Sequence, residues 1–314
     1  MLGFDRSAAK VVSLPTPKTA VVDLFRDLSI ETAPGIAAKT ASYGAHLPAG
    51  TRVYVTMLPG ADLGEIVQTA ARLRGEGLVP VPHIAARSLQ SRAQLDDYLR
   101  RLAGEAGVDQ ALVIGGGVST PVGPFDRTMQ VLETGLLQQH GIRTIGVAGH
   151  PEGSKDIPAE EIARAVAEKN AYAKATGTEM YIATQFCFDA EAIIAWDREL
   201  RRAGNALPIH LGLAGPAKLK SLIHYAAMCG VGPSMRFLTR QAMNIAKLAS
   251  VSVPDRLLTA LADYRAKDPA CDIAQLHLFA FGGLERSARW VRAMQEGRFT
   301  LDGRGGFATD EALD

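Results

Sequence analysis

The chain has 314 residues, 47% hydrophobic and 21% charged, with 34 Lys and Arg against 33 Asp and Glu for a net charge of +1. Charges this balanced and dispersed give no footprint for nucleic acid or an anionic membrane surface. No apolar stretch approaches the ~18 residues that suggest a membrane span, and the N-terminus lacks the apolar core of a signal peptide, so a cytoplasmic location is the default expectation.

Apolar, strand-like runs recur about eight times, nearly all with a helical segment after them. The first is at 29–33 and the second at 53–57. An amphipathic stretch over 61–73 then predicts a helix that stops toward Gly75. Strands follow at 78–83, 111–117 and 144–150. Pro158, with Glu160 and Glu161 close behind, opens a helix that runs to Gly177, because proline is tolerated in a first turn and acids suit the positive helix end. Strands at 180–186 and 209–213 come next. Extra helical material from 217 to about 265 is open to three uses: core, a cap over the site, or a contact between subunits of a homo-oligomer. Within it, the stretch 234–249 reads as core packing. The last strand is at 275–281, and residues 1–20 and 302–314 read as irregular arms. The three cysteines, Cys187, Cys229 and Cys271, are odd in number and without metal spacing, and read as reduced core thiols.

Strands alternating with helices imply a parallel sheet, and eight such units imply a single-domain α/β (β/α)8 TIM barrel, whose chemistry lies at the strand C-terminal ends. Those ends carry the candidates. Glu31 closes the first strand among apolar residues, where a carboxyl holds its proton more readily and can deliver it near neutrality; a satisfied structural carboxylate is the alternative. Thr56 ends the second strand and His83 the third. Gly115, Gly116 and Gly117 end the fourth, removing side chains where backbone must approach something flat or anionic, or easing a tight turn. His150 follows the fifth strand. Gln185 follows the sixth and offers a donor and an acceptor to a heterocycle edge.

Taken in order, Glu31, then Pro82-His83, then Val147-Ala148-Gly149-His150-Pro151-Glu152, then Ala183-Thr184-Gln185-Phe186-Cys187-Phe188-Asp189 resemble the methylenetetrahydrofolate reductase family over about residues 25–295. The most specific piece is Thr-Gln-Phe-x-Phe-Asp with Lys174 ahead of it. The resemblance implies a flavin-dependent barrel that interconverts 5,10-methylenetetrahydrofolate and 5-methyltetrahydrofolate, with FAD as cofactor and a nicotinamide or another electron donor. It also implies roles. Glu31 is the general acid that protonates the folate nitrogen and opens the methylene bridge to an iminium. Gln185 binds the pterin. Thr56, His83, His150, Asn170 and Lys174 line the FAD, with Lys174 at its pyrophosphate.

The chain departs from the pattern in four places. Gly115-Gly116-Gly117 stands where many members carry Arg-Gly-Asp. Ile30-Glu31-Thr32 lacks the aromatic residues that flank the family glutamate. Phe281-Gly282-Gly283 stands where a folate-binding arginine is common, and Gly212-Leu213-Ala214-Gly215-Pro216 replaces Gly-Ile-x-Pro. Two further readings are a metal-dependent barrel hydrolase or lyase with His83, His150 and His210 as ligands, and a barrel that binds folate or flavin without catalysis. The first lacks close His-x-His or carboxylate spacing.

Overall fold

In the computed structural model, which describes residues 15–228, 238–239 and 250–313, eight parallel strands close into a barrel in sequential order. They are β1 (Leu28–Thr32), β2 (Arg52–Val55), β3 (Val79–Ala85), β4 (Gln110–Ile114), β5 (Thr144–Gly149), β6 (Glu179–Thr184), β7 (Ile209–Ala214) and β8 (Ile273–Phe279). The expected strands lie within a few residues of these, and the fold is a (β/α)8 TIM barrel. Among the described residues no helix is long and apolar enough to cross a membrane.

Both faces of such a sheet are buried, so side-chain alternation sorts residues between lumen and outer wall rather than between core and water. Along β1, Ile30 joins the outer core beneath the helices, whereas Ser29 and Glu31 turn inward beside His277 and Phe279 of β8. The lumen holds an apolar cluster of Tyr54, Val81, Leu112, Tyr181 and Ala183, with Ile114 against it. The outer layer is far larger and includes the fully buried Trp290, whose ring meets Phe25 edge-on at 5.1 Å. Each such large side chain contributes ~1.5–3 kcal/mol through burial.

Local signals set the helices. Asp62 accepts from the Gly64 N–H at the start of Leu63–Gly75, Ser91 accepts from Gln94 N–H ahead of Arg92–Ala106, and Asp189 accepts from Glu191 and Ala192 N–H at the start of Ala190–Arg202. Gly177 takes a left-handed conformation (φ 66°) and stops Ala159–Thr176 before β6. The connection after β1 has only the short helix Pro34–Ala37, and chain fills the place of a full helix. There the Arg72 guanidinium donates to the carbonyls of Ala37, Thr40 and Ala41, and the Glu76 carboxylate accepts from Ser42 and Gly44.

Both expected arms are partly built. Pro17–Leu24 is helical, buries Ala20 and Val21, and packs on the helix Asp255–Lys267. At the other end, Phe299–Leu301 and Phe307–Thr309 form an antiparallel hairpin that buries Phe307. The apolar residues spaced through these short segments pack on the barrel exterior, although neither segment is long enough to show a period. The surplus between β7 and β8 begins with helix Leu219–Met228 and ends with Asp255–Lys267, joined near their bases by the two-residue ladder Ala217–Lys218 with Val251–Ser252. Apart from 238–239, the stretch 234–249 lies outside the described residues, as does Cys229. Cys187 and Cys271 are free thiols, and burial pushes the pKa of both upward.

Gly146 of β5 registers with Tyr181 of β6, and a Cβ there would sit 2.6 Å from the ring carbon Cζ. Gly146→Ala is therefore expected to cost ~1–3 kcal/mol by overpacking the lumen. A urea midpoint equal to wild type would show that the ring has room to move.

Candidate functional site

The strand C-terminal ends converge on Glu31. Its side chain is 18% exposed, and its Oε2 lies 3.5 Å from His83 Nε2 and 3.6 Å from His277 Nε2. The three come from β1, β3 and β8, which the barrel closure brings together. His83 Nε2 has no hydrogen-bond partner, and burial lowers the His83 pKa to about 4 although the Glu31 carboxylate opposes the shift, so the imidazole is neutral at pH 7. The Thr56 hydroxyl, on the lumen-facing parity of β2, is another buried polar atom without a partner.

Below this mouth the lumen is polar and aromatic. Tyr54 packs on His277 with centroids 4.3 Å apart, and its hydroxyl hydrogen-bonds that of Tyr181. Burial raises the pKa of both phenols, that of Tyr181 to about 12, so both remain protonated. Tyr181 stacks on His210 at 3.9 Å, and His210 Nδ1 is buried without a partner. Burial lowers the His210 pKa to about 3, helped by the Arg52 guanidinium and by His277.

An aromatic wall flanks the mouth on the β6 to β8 side. Phe186 meets Phe279 at 5.3 Å and Phe281 at 4.9 Å, and Tyr225 stacks on Phe281 at 4.1 Å. Together with Phe188, Leu219 and Leu222 these rings hold the base of the excursion against the strand ends. The aromatic surround absent from the sequence beside Glu31 is thus supplied from neighbouring strands: Tyr54 and Phe279 are its register partners on β2 and β8.

Six of the expected site residues besides Glu31 lie at the strand ends, Thr56, Gly115, Gly116, Gly117, His150 and Gln185, whereas His83, expected to close the third strand, lies two residues inside β3, which continues to Ala85. Gln185 is half-buried and its Oε1 accepts from the Phe186 N–H. Of the glycines only Gly116 is demanded by the backbone, with φ 95° and a would-be Cβ 3.1 Å from that of Ala85; space is open around Gly115 and Gly117. The turn that contains them is fixed by Arg87, which donates to the carbonyls of Val118 and Asp126.

Asn170 and Lys174 are placed elsewhere. The Asn170 amide bonds Asn205 Oδ1 and accepts from the Ala206 N–H, in the loop that leads into β7 at the opposite end of the barrel. Lys174 is exposed in the last turn of Ala159–Thr176, just before β6 begins. A descending helix carries its final turns away from the mouth, which linear spacing to Gln185 does not register.

Another lysine of that helix is buried. Lys169, 6% exposed, stands on the core-facing stripe with Val166, and burial lowers its pKa to about 8. His150 lies close enough to feel its charge, and burial first, then that ammonium, lowers the His150 pKa to about 4. Among the described residues no group of three or more His, Cys, Asp or Glu is arranged to hold a metal ion, so His83, His150 and His210 do not come together as ligands.

No protein-family profile matches the chain. Among solved structures, an uncharacterized Clostridium thermocellum protein that binds two copies of 5-methyl-5,6,7,8-tetrahydrofolic acid superposes with a TM-score of 0.51 at 11% identity, covering 89% of this chain and 98% of the other. A Burkholderia cenocepacia protein described as a lyase/mutase reaches 0.44 at 14% identity over 91% and 88%. A mandelate racemase/muconate lactonizing enzyme from Bordetella bronchiseptica reaches 0.39 at 12% over 86% and 58%. At these identities the likeness is one of fold.

His277, Tyr54, Tyr181, Arg52 and Lys169 escaped the sequence reading, and His210 entered it only as a metal ligand. A signal was present for His277. In Gln275-Leu276-His277-Leu278-Phe279 the polar parity has nowhere to go but the lumen, since helices cover the outer face of a parallel barrel. Lys169 was visible as a charge in the stripe Ile162, Val166, Lys169, Ala173.

The three depressed histidines give the protein a defined acid response. Their folded pKa values lie below the ordinary 6.5, so between pH ~6.5 and ~4 the unfolded chain binds more protons and stability falls as pH falls. The urea midpoint should be flat above pH ~6.5 and decline below it. In NMR titrations, His83, His150 and His210 should still be mostly neutral at pH 5, with midpoints well below 6.5; a midpoint near 6.5 for all three would show them solvated.

Proposed function

We propose that this barrel binds a reduced folate over Glu31 and interconverts 5,10-methylenetetrahydrofolate and 5-methyltetrahydrofolate with a flavin as redox partner. The observation that carries the reading is Glu31 itself: a half-buried carboxyl at the mouth, with one oxygen between two imidazole nitrogens and an aromatic wall alongside. A flat heterocycle resting on that wall would present a ring nitrogen to the acid, and Gln185, after β6 and next to Phe186 of the wall, would meet a pterin edge. Glu31 gives its proton to the nitrogen of the methylene bridge, the carbon–nitrogen bond opens with its electron pair going to that nitrogen, and an iminium remains on the folate. The methyltetrahydrofolate-binding barrel of Clostridium thermocellum shows that this fold accommodates such a ligand, and so supports the reading.

The flavin fits in part. Thr56 Oγ1 and His83 Nε2 are buried polar atoms that lack a protein partner at the mouth, and open space surrounds Gly115 and Gly117. When bound, the flavin supplies the hydride that converts the iminium to a methyl group. The residues expected at its ribose and diphosphate do not fit: Asn170 is spent on the Asn205 loop and Lys174 faces solvent. That placement favours a second reading, in which the barrel holds methyltetrahydrofolate with no flavin.

Anaerobic spectroscopy separates the two. A yellow protein whose flavin band bleaches on addition of 5-methyltetrahydrofolate supports the redox reading. A colourless protein that binds methyltetrahydrofolate by calorimetry supports the second, and one that binds neither flavin nor folate removes both.

A further inference from the structure

A column of polar side chains climbs the barrel lumen from the strand N-terminal ends to Glu31. Asp27 is exposed at the base, and both its oxygens accept from the Arg52 guanidinium, at 2.7 and 2.8 Å. Arg52 also donates to Gln275 Oε1. Gln275 Nε2 donates to Ser29 Oγ at 3.1 Å, and Ser29 Oγ lies 2.9 Å from His277 Nδ1. The opposite nitrogen of His277 faces Glu31 Oε2. Ser29, Gln275 and His277 are at most 5% exposed, so water offers these groups no alternative partners.

The column has a direction. A guanidinium only donates, so it holds the carbonyl end of Gln275 and leaves the amide NH2 to face Ser29. That NH2 fills one lone pair of Ser29 Oγ and leaves the serine proton to be given onward. We infer that the Arg52–Gln275–Ser29 column keeps His277 Nδ1 an acceptor and its proton on Nε2, so that the ring N–H points at Glu31. The inference rests on Glu31 as the reacting group of the proposed function, and Ser29, Gln275 and His277 enter as positioning residues.

The consequence is a carboxyl with a donor on one side. His277 presents an N–H to Oε2, while on the other side the neutral His83 brings up its Nε2, a buried atom without a hydrogen-bond partner. At 3.5 and 3.6 Å neither contact is yet a hydrogen bond; such distances are common at unliganded sites and shorten in the substrate complex. With Oε2 accepting from His277, the acid proton is left to Oε1, the oxygen free for substrate. The other charged or titratable groups near His277 are Arg52 and Tyr54 on β2, Tyr181 on β6 and His210 on β7; Arg52 is the column's own anchor, Tyr54 lies against its ring, and burial keeps the phenols protonated and His210 neutral.

The tautomer is read directly by 15N NMR of the full chain carrying [15N]histidine, with or without ligand. The expected spectrum shows His277 with a protonated Nε2 and a bare Nδ1, and Ser29→Ala removes that preference. The same variant should slow reaction with 5,10-methylenetetrahydrofolate about ten- to a hundredfold, the range typical of an outer partner that orients a reacting group, with little change in folate affinity. An Nδ1–H tautomer in the wild type, with the serine proton turned to Tyr54, overturns the inference, as does a tautomer unmoved by Ser29→Ala. Because the spectrum needs neither folate nor flavin, its result stands apart from whether the proposed reaction occurs.

Discussion

Glu31→Gln is expected, on the proposed reaction, to slow the conversion of 5,10-methylenetetrahydrofolate roughly 10²- to 10⁴-fold, the range for loss of a positioned acid, with folate affinity changed only a few-fold. Glutamine keeps the length and shape of the side chain and can still accept from His277, so the packing of Tyr54 and Phe279 around it survives. What it cannot do is release a proton. Rapid-mixing absorbance of the folate reaction measures the rate, and calorimetry with 5-methyltetrahydrofolate measures the affinity. A variant that turns over near the wild-type rate would remove Glu31 from the chemistry and leave it a structural carboxylate.

Asp197→Ala is expected to destabilise the fold by ~3–5 kcal/mol, the cost of taking one member from a buried charged network. Asp197 is wholly buried on helix Ala190–Arg202. It accepts from the Tyr264 hydroxyl and, at 3.1 Å, from the Asp272 N–H, and Arg201 Nε lies 3.2 Å away. Arg201 continues to Asp268 at 2.8 Å, so one carboxylate joins two helices to the base of β8. Alanine would leave a phenol and a backbone N–H without acceptors, whereas Asp197→Asn keeps an acceptor oxygen and should lose less. Urea denaturation of the three proteins measures the order; an alanine variant within ~1 kcal/mol of wild type would show that solvent reaches the network.

Much of the barrel was legible because its strands are short, apolar and evenly interrupted by helices, a pattern set by burial on both faces of each strand. The same regularity located the rim, and with it Glu31, Thr56, His83, His150 and Gln185. Elsewhere linear reasoning failed for identifiable reasons. Lys174 stands at a suggestive spacing from Gln185, yet the helix between runs down the outer wall and carries it away from the mouth. Lys169, five residues earlier, is buried within electrostatic reach of His150 because helical periodicity turns it inward. His277 lies 246 residues from Glu31 and meets it only because β8 closes on β1.

The sequence by itself determined the eight barrel strands, most of the helices between them and which side chains stand near the strand ends, since these follow from local periodicity and capping, whereas the helix and hairpin of the two arms are too short to show a period. Only the tertiary structure decided what surrounds Glu31. Barrel closure sets the register between β1, β2 and β8, and register places His277, Tyr54 and Phe279 at the acid and aligns the Arg52, Gln275 and Ser29 column beneath it. Interactions of that kind arise across hundreds of residues of chain, where no local pattern records them.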